Sequence, residues 1–127
     1  MRVAMTEREI QQKARAMRES IVKMLERAKS GHSAGALGLA DLVATLYFGV
    51  MNINPQQPDD PARDMFLLSN GHTVPVQYAA MAEAGFFPKE ELMTLRQWGS
   101  RLQGHPERTQ LPGLETTSGP LGCGVAQ

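Results

Sequence analysis

Met65-Phe66-Leu67-Leu68-Ser69-Asn70-Gly71-His72 is the stretch on which the reading of the fold turns. Met65 to Ser69 is a short, mostly apolar run with turn signals on both sides, and its length favours a buried strand over a helix. Asn70-Gly71 is a turn dipeptide, so the run would end by presenting His72 at an element end.

Working outward toward the N-terminus, Asn52 to Asp64 contains Pro55, Pro58 and Pro61 and the adjacent Asp59 and Asp60. Prolines at that density exclude a helix or central strand and imply a surface loop. Leu39 to Met51 is apolar on most sides, as expected of a buried helix. The first element is a helix over Glu7 to Lys29, opened by the capping-box pair Thr6 and Glu9 and closed by Gly31. Ile10, Ala14, Met17, Ile21, Met24, Leu25 and Ala28 fall on one face of it. Arg8, Lys13, Arg15, Glu19, Lys23 and Glu26 lie on the others and read as a solvated surface.

Toward the C-terminus, a third helix fits Val74 to Ala84, with Pro75 in its first turn and Gly85 after it. Pro88 opens a fourth over Lys89 to Trp98, with Glu90 and Glu91 at its positive end and Gly99 closing it. Ser100 to Ser118 carries only loop signals. Gly119 to Gln127 reads as a glycine-rich turn leading into a helix the sequence does not finish, which suggests a fragment. No repeat or internal boundary divides residues 1–127.

Bulk properties narrow the function. The 13 basic and 13 acidic residues cancel, which removes the electrostatic case for nucleic acid or an anionic membrane as main partner. With 42% hydrophobic and 20% charged residues the composition is that of a globular protein. The eight methionines mostly sit at core spacing. Cys123 is the single cysteine, so nothing calls for an oxidising compartment. The N-terminus has no apolar signal core, and the longest apolar stretch, Ala34 to Met51, is broken by Asp41. These features read as cytoplasmic.

Each histidine follows a glycine: Gly31-His32, Gly71-His72 and Gly104-His105. All three pairs fall at element ends or in loops, where imidazoles are placed to meet a ligand. They suit proton shuttling near neutral pH or bonding to hydroxyls and phosphates. Zinc is a competing use of three histidines, but the spacings are long and no pair lies at i, i+3 or i, i+4. A second candidate is Thr116-Thr117-Ser118-Gly119-Pro120-Leu121-Gly122-Cys123-Gly124. Small hydroxyl residues running into glycines can cradle an anion on free backbone N–H groups. It lacks the Gly-Lys-Ser/Thr ending of a Walker A loop and does not match Gly-x-Gly-x-x-Gly. Within it, Cys123 reads as a small residue filling a tight turn.

In order and spacing, these pieces resemble the transketolase family. Ser30-Gly31-His32-Ser33-Ala34-Gly35 with Leu39-Ala40-Asp41-Leu42 is similar to the family's first Gly-His segment and the helix behind it. Met65 to His72 resembles its Asn-Gly-His segment, and Gly104-His105-Pro106-Glu107 its third. Leu111-Pro112-Gly113-Leu114-Glu115-Thr116-Thr117-Ser118-Gly119-Pro120-Leu121-Gly122 resembles the stretch that precedes the cofactor. The agreement runs from about Ala14 to Gln127.

The resemblance implies an α/β thiamine-diphosphate-binding fold, of which residues 1–127 would be the helix-rich N-terminal part. It implies thiamine diphosphate with Mg²⁺ or Ca²⁺, and transfer of a two-carbon ketol unit from a ketose phosphate to an aldose phosphate. His32 and His105 would act on substrate hydroxyls, His72 would bond the cofactor's diphosphate, and Gly119, Pro120 and Leu121 would line the cofactor. Sugar phosphate substrates, a homodimer and, in the family's split forms, a separate C-terminal subunit follow as partners. Ser33 stands where many members have Pro, which with the Leu111 to Gly119 stretch resembles the split forms. Cys123 stands where Gln is usual. The family's Gly-Asp-Gly and the Asn that hold the metal would lie beyond Gln127, and its activating glutamate in a further domain. The chain alone is therefore expected to bind the cofactor poorly and to be inactive. A 1-deoxyxylulose-5-phosphate synthase, a pyruvate dehydrogenase E1 component, or an inactive remnant that binds a partner are the alternatives.

Overall fold

The structure is a computed structural model that describes residues 5–123 and 125. Helix α1 spans Glu7–Ala28. Its start is fixed as the spacing predicts: the Glu9 N–H donates to Thr6 Oγ1, while the Thr6 N–H donates to the Glu9 carboxylate at 2.7 Å. Ala14, Met17, Ile21 and Met24 are its buried stripe. Lys29, not Gly31, is the left-handed cap, with φ of 54°. Gly31 acts one step later, at φ +125°, where a Cβ would lie 2.5 Å from Leu25 Cδ2. The chain thus folds back against α1 just before His32.

Two short helices follow, α2 (Ser33–Gly38) and α3 (Ala40–Thr45), and α3 runs into a π turn over Leu46–Val50. Together α3 and that turn cover most of the helix expected over Leu39 to Met51. The sequence reading has no counterpart of α2, whose Gly35 and Gly38 disfavour a helix locally. Gly35 is useful there because a Cβ would come within 2.8 Å of Thr73 Cγ2. The bare backbone lets α2 lie close to the segment that carries His72.

Helix α4 (Val74–Ala84) is the hub, buried at every residue from Val74 to Ala82 and capped by Gly85 at φ 97°. Around it pack α1, α2, α3 and a 3-10 turn over Lys89–Thr94. That turn is all that forms of the helix expected over Lys89 to Trp98. Arg96, at φ 61°, breaks it, and Trp98 is fully exposed.

The run Met65 to Ser69 is extended but is not a strand, and no strand occurs among the described residues. Leu68 is buried while Met65 and Leu67 are 57% and 64% exposed, the alternation of an extended chain. A strand needs a neighbour to pair with, and the described residues supply none. The Leu68 carbonyl instead accepts from Ser118 Oγ at 2.7 Å and Thr116 Oγ1 at 3.4 Å.

The polar face of α1 also departs from a purely solvated surface. Lys13 reaches the α4 carboxylate Glu83 at 2.8 Å, and Arg18 grips Asp41 through both guanidinium nitrogens at 3.0 and 2.5 Å. No helix among the described residues is long and apolar enough to cross a membrane.

Candidate functional site

His32 is the residue that precedes the first turn of α2, in extended backbone. His72 is the middle residue of a 3-10 turn, Gly71–Thr73, that joins the extended run to α4. Thr73 Oγ1 donates to the Asn70 carbonyl at 2.9 Å and stabilises that turn. Because α2 sits close over Thr73, the two imidazoles meet edge to face with ring centroids 5.2 Å apart.

His105 comes from the loop after the 3-10 turn over Lys89–Thr94. Tyr78 of α4 donates to the Gln103 carbonyl at 2.9 Å, which ties the base of this loop to the core. Its far side is laced to the Thr117–Ser118 segment: the Arg108 N–H donates to Thr117 Oγ1 at 3.1 Å and the Ser118 N–H to the Pro106 carbonyl at 3.3 Å. Two glycines let that segment wedge between the histidines. A Cβ on Gly71 would lie 2.7 Å from the Ser118 backbone, and one on Gly119, at φ +132°, 2.7 Å from His105 Cδ2. Both positions demand glycine for closeness, and Gly119 also for its conformation.

The electrostatics agree with a shared site. His105 is held below the usual histidine pKa, first by partial desolvation, then by the positive charge of Arg96 and by His32 and His72. All three rings are thus in electrostatic range of one another. Glu107, two residues on, is engaged elsewhere, accepting from Thr109 Oγ1 at 2.5 Å and from Thr117 Oγ1 at 3.2 Å. The cluster therefore offers three imidazoles and one guanidinium, with no carboxylate among the described residues bonded to it, which favours an anionic, hydroxyl-bearing ligand. Among the described residues no group of three or more His, Cys, Asp or Glu is arranged to hold a metal ion.

An open groove runs between the His105 loop and Thr117–Pro120. Leu121 is 91% exposed at its end, an apolar side chain without apolar cover. Leu121 and Gly122 form a turn, and the helix expected to follow extends into Gly124, Ala126 and Gln127, outside the described residues. The sequence singled out His32, His72, His105, Gly119, Pro120 and Leu121, and the structure brings His32 against His72, and His105 against Gly119, with Ser118 next to Gly71. It adds Arg96, which nothing in its local sequence marked, and Ser118, whose backbone forms the wedge.

The family description "Transketolase, thiamine diphosphate binding domain" matches residues 9–127. The chain is 45% identical over 107 residues to the chloroplastic transketolase of Spinacia oleracea, covering 83% of this chain and 14% of that protein. It is 41% identical over 114 residues to transketolase 1 of Escherichia coli, covering 89% of this chain and 17% of that one. The transketolase structure from Leishmania mexicana superposes with a TM-score of 0.86 at 40% identity, over 98% of this chain and 18% of that one. A Pichia stipitis transketolase in complex with sedoheptulose 7-phosphate gives 0.84 at 38% identity, over 91% and 17%. This chain thus spans under a fifth of the length of these relatives.

Proposed function

Because the chain belongs to the transketolase family, within its thiamine diphosphate binding domain, we propose that it is the N-terminal segment of a transketolase. The assembled enzyme moves a two-carbon ketol unit from a ketose phosphate to an aldose phosphate. The observation that carries this reading is that His32 meets His72 edge to face, while Gly71 beside His72 lies against the Ser118 backbone and His105 lies against Gly119. Sugar phosphates as substrates are supported by the Pichia stipitis enzyme, whose structure is a complex with sedoheptulose 7-phosphate.

The residues present fit thiamine diphosphate. The Gly119 corner is a cradle that any Cβ would fill, the His105 imidazole beside it is a hydrogen-bonding group, and Leu121 offers bare apolar surface. When bound, the cofactor supplies the carbanion chemistry that amino-acid side chains lack. The chain's share is to bind and orient. His72 holds the diphosphate by hydrogen bonding, and Gly119, Pro120 and Leu121 line the cofactor with backbone groups and an apolar side chain. His105, kept neutral by its surroundings, accepts or donates a proton at the donor's hydroxyl. His32 does the same at hydroxyls further along the substrate. A divalent cation, Mg²⁺ or Ca²⁺, would be held by other parts of the assembled enzyme and would offset the diphosphate charge there. A dimer, and a C-terminal subunit if the enzyme is split, complete the site, and the enzyme works in the cytoplasm.

Calorimetric titration with thiamine diphosphate and Mg²⁺ tests the reading. The chain by itself is expected to bind weakly, and the assembled enzyme tightly. Micromolar binding by residues 1–127 alone would overturn the claim that they depend on the rest of the assembled enzyme to hold the cofactor. Turnover of xylulose 5-phosphate plus ribose 5-phosphate, with none of pyruvate, separates transketolase from related thiamine enzymes.

A further inference from the structure

Arg96 occupies an unusual position. It is a non-glycine residue at φ 61°, in the left-handed region that L side chains avoid. The surroundings impose that conformation: Leu95 is buried beside it, and the Arg96 N–H donates at 3.0 Å to the carbonyl of Leu102, itself fully buried. Strain of this kind persists when the surrounding structure over-determines it.

The placement is specific. A Cβ on Gly104 would lie 2.5 Å from Arg96 Nε and 2.8 Å from Cζ and Nη2, so the guanidinium lies directly on the backbone that precedes His105. The Gly31 Cβ position, just before His32, is 3.8 Å from the same Nε, and Nη1 donates to Ser30 Oγ at 3.4 Å. Arg63, Arg18 and Arg101 each pair with a carboxylate, whereas among the described residues Arg96 pairs with none. Its charge is left uncompensated next to two Gly-His turns.

We propose that Arg96 is a positioning residue whose guanidinium ties the Gly31-His32 turn to the Gly104-His105 turn and holds a fixed positive charge beside their imidazoles. The link to catalysis rests on the transketolase reading; the link to the histidines does not. The charged and titratable groups that face His105 are Arg96, His32 from the start of α2 and His72 from its 3-10 turn. Removing a cation from that set eases protonation of His105.

The experiment is an NMR titration of the histidine rings in the full chain, for wild type, R96M, R96K and R96G. His105 is expected to titrate at higher pH in R96M and R96G, with R96K nearer to wild type because it keeps the charge. R96G guards against misfolding, since glycine accepts the left-handed backbone, and it is expected to retain a cooperative thermal melt. An unchanged His105 titration in R96G overturns the proposal, and so does an R96K shift as large as that of R96M. In the assembled enzyme, R96G is expected to lower kcat by roughly tenfold to a hundredfold with little change in KM, as misplaced reacting groups do. If wild type shows no transferase activity, the functional reading fails while the titration still decides the role of Arg96.

Discussion

The imidazoles of His32 and His72 touch edge to face, their planes inclined at 65°, although one precedes α2 and the other lies in the turn before α4. The contact exists because Gly35 lets α2 approach Thr73, so a helix position with no chemistry of its own sets the geometry of two that have it.

Different roles for the pair lead to separable defects. In the assembled enzyme, H72A should weaken thiamine diphosphate binding by roughly tenfold to a hundredfold, the loss of one hydrogen bond to a charged group. H32A should leave cofactor affinity nearly intact and lower kcat by about a hundredfold. Calorimetry with steady-state kinetics on both variants checks this. Two variants that lose cofactor affinity equally would show that the roles are wrongly divided.

The glycines of the corner make a second, graded pair. Gly119→Ala places a methyl group 2.7 Å from the His105 ring at a φ of +132°, whereas Gly122→Ala, at +75°, meets nothing within 4 Å. The second change should cost about 1–2 kcal/mol of backbone strain. The first should cost more, by roughly 1–3 kcal/mol, and displace the His105 ring signals in an NMR spectrum. Thermal melts of the two variants that coincide, with His105 undisturbed, would contradict the close approach.

Much of this arrangement was legible in the sequence, and for identifiable reasons. The capping box, the period of α1 and the Gly85 stop are local rules, and α4 forms over the residues they mark. Gly-His pairs at element ends pointed to one site because glycine is chosen where backbones must come close. What failed was non-local. Met65 to Ser69 has the composition of a strand but no partner to pair with among the described residues. Lys89 to Trp98 has the composition of a helix, but the bond from the Arg96 N–H to Leu102 turns the chain after one 3-10 turn. The value of Arg96 itself comes from two loops distant in sequence, and no spacing announces it.

The lowered pKa of His105 predicts a pH dependence with a definite sign. An unperturbed histidine titrates near pH 6.5. Above that value His105 is neutral in both folded and unfolded chains. As pH falls below it the unfolded chain takes up the proton first, so stability declines until the folded-state pKa is passed. The acid limb of kcat/KM should likewise lie below the ordinary histidine range. His105→Asn should remove this contribution to the stability slope in urea titrations across mildly acid pH. A slope identical to that of wild type would mean that His105 is not perturbed.

Two ion pairs on α1 should differ sharply in worth. The Glu83 side chain is only 5% exposed and is bonded by Lys13 and by Lys89, whereas the Arg18 and Asp41 side chains are 38% and 70% exposed. Burial pushes the Glu83 pKa up, but the two lysines outweigh it and the net shift is downward. Its stabilisation is therefore present above the unfolded value near 4.3 and is lost as pH falls through the folded one. Glu83→Gln should cost roughly 1–3 kcal/mol near neutral pH, persist in salt, and converge with wild type in acid. Asp41→Asn should cost about 1 kcal/mol or less, a difference that salt erases. Urea melts at low and high ionic strength decide it: equal penalties with equal salt sensitivity would mean that the α1–α4 clasp is no more protected from water than the one between α1 and α3.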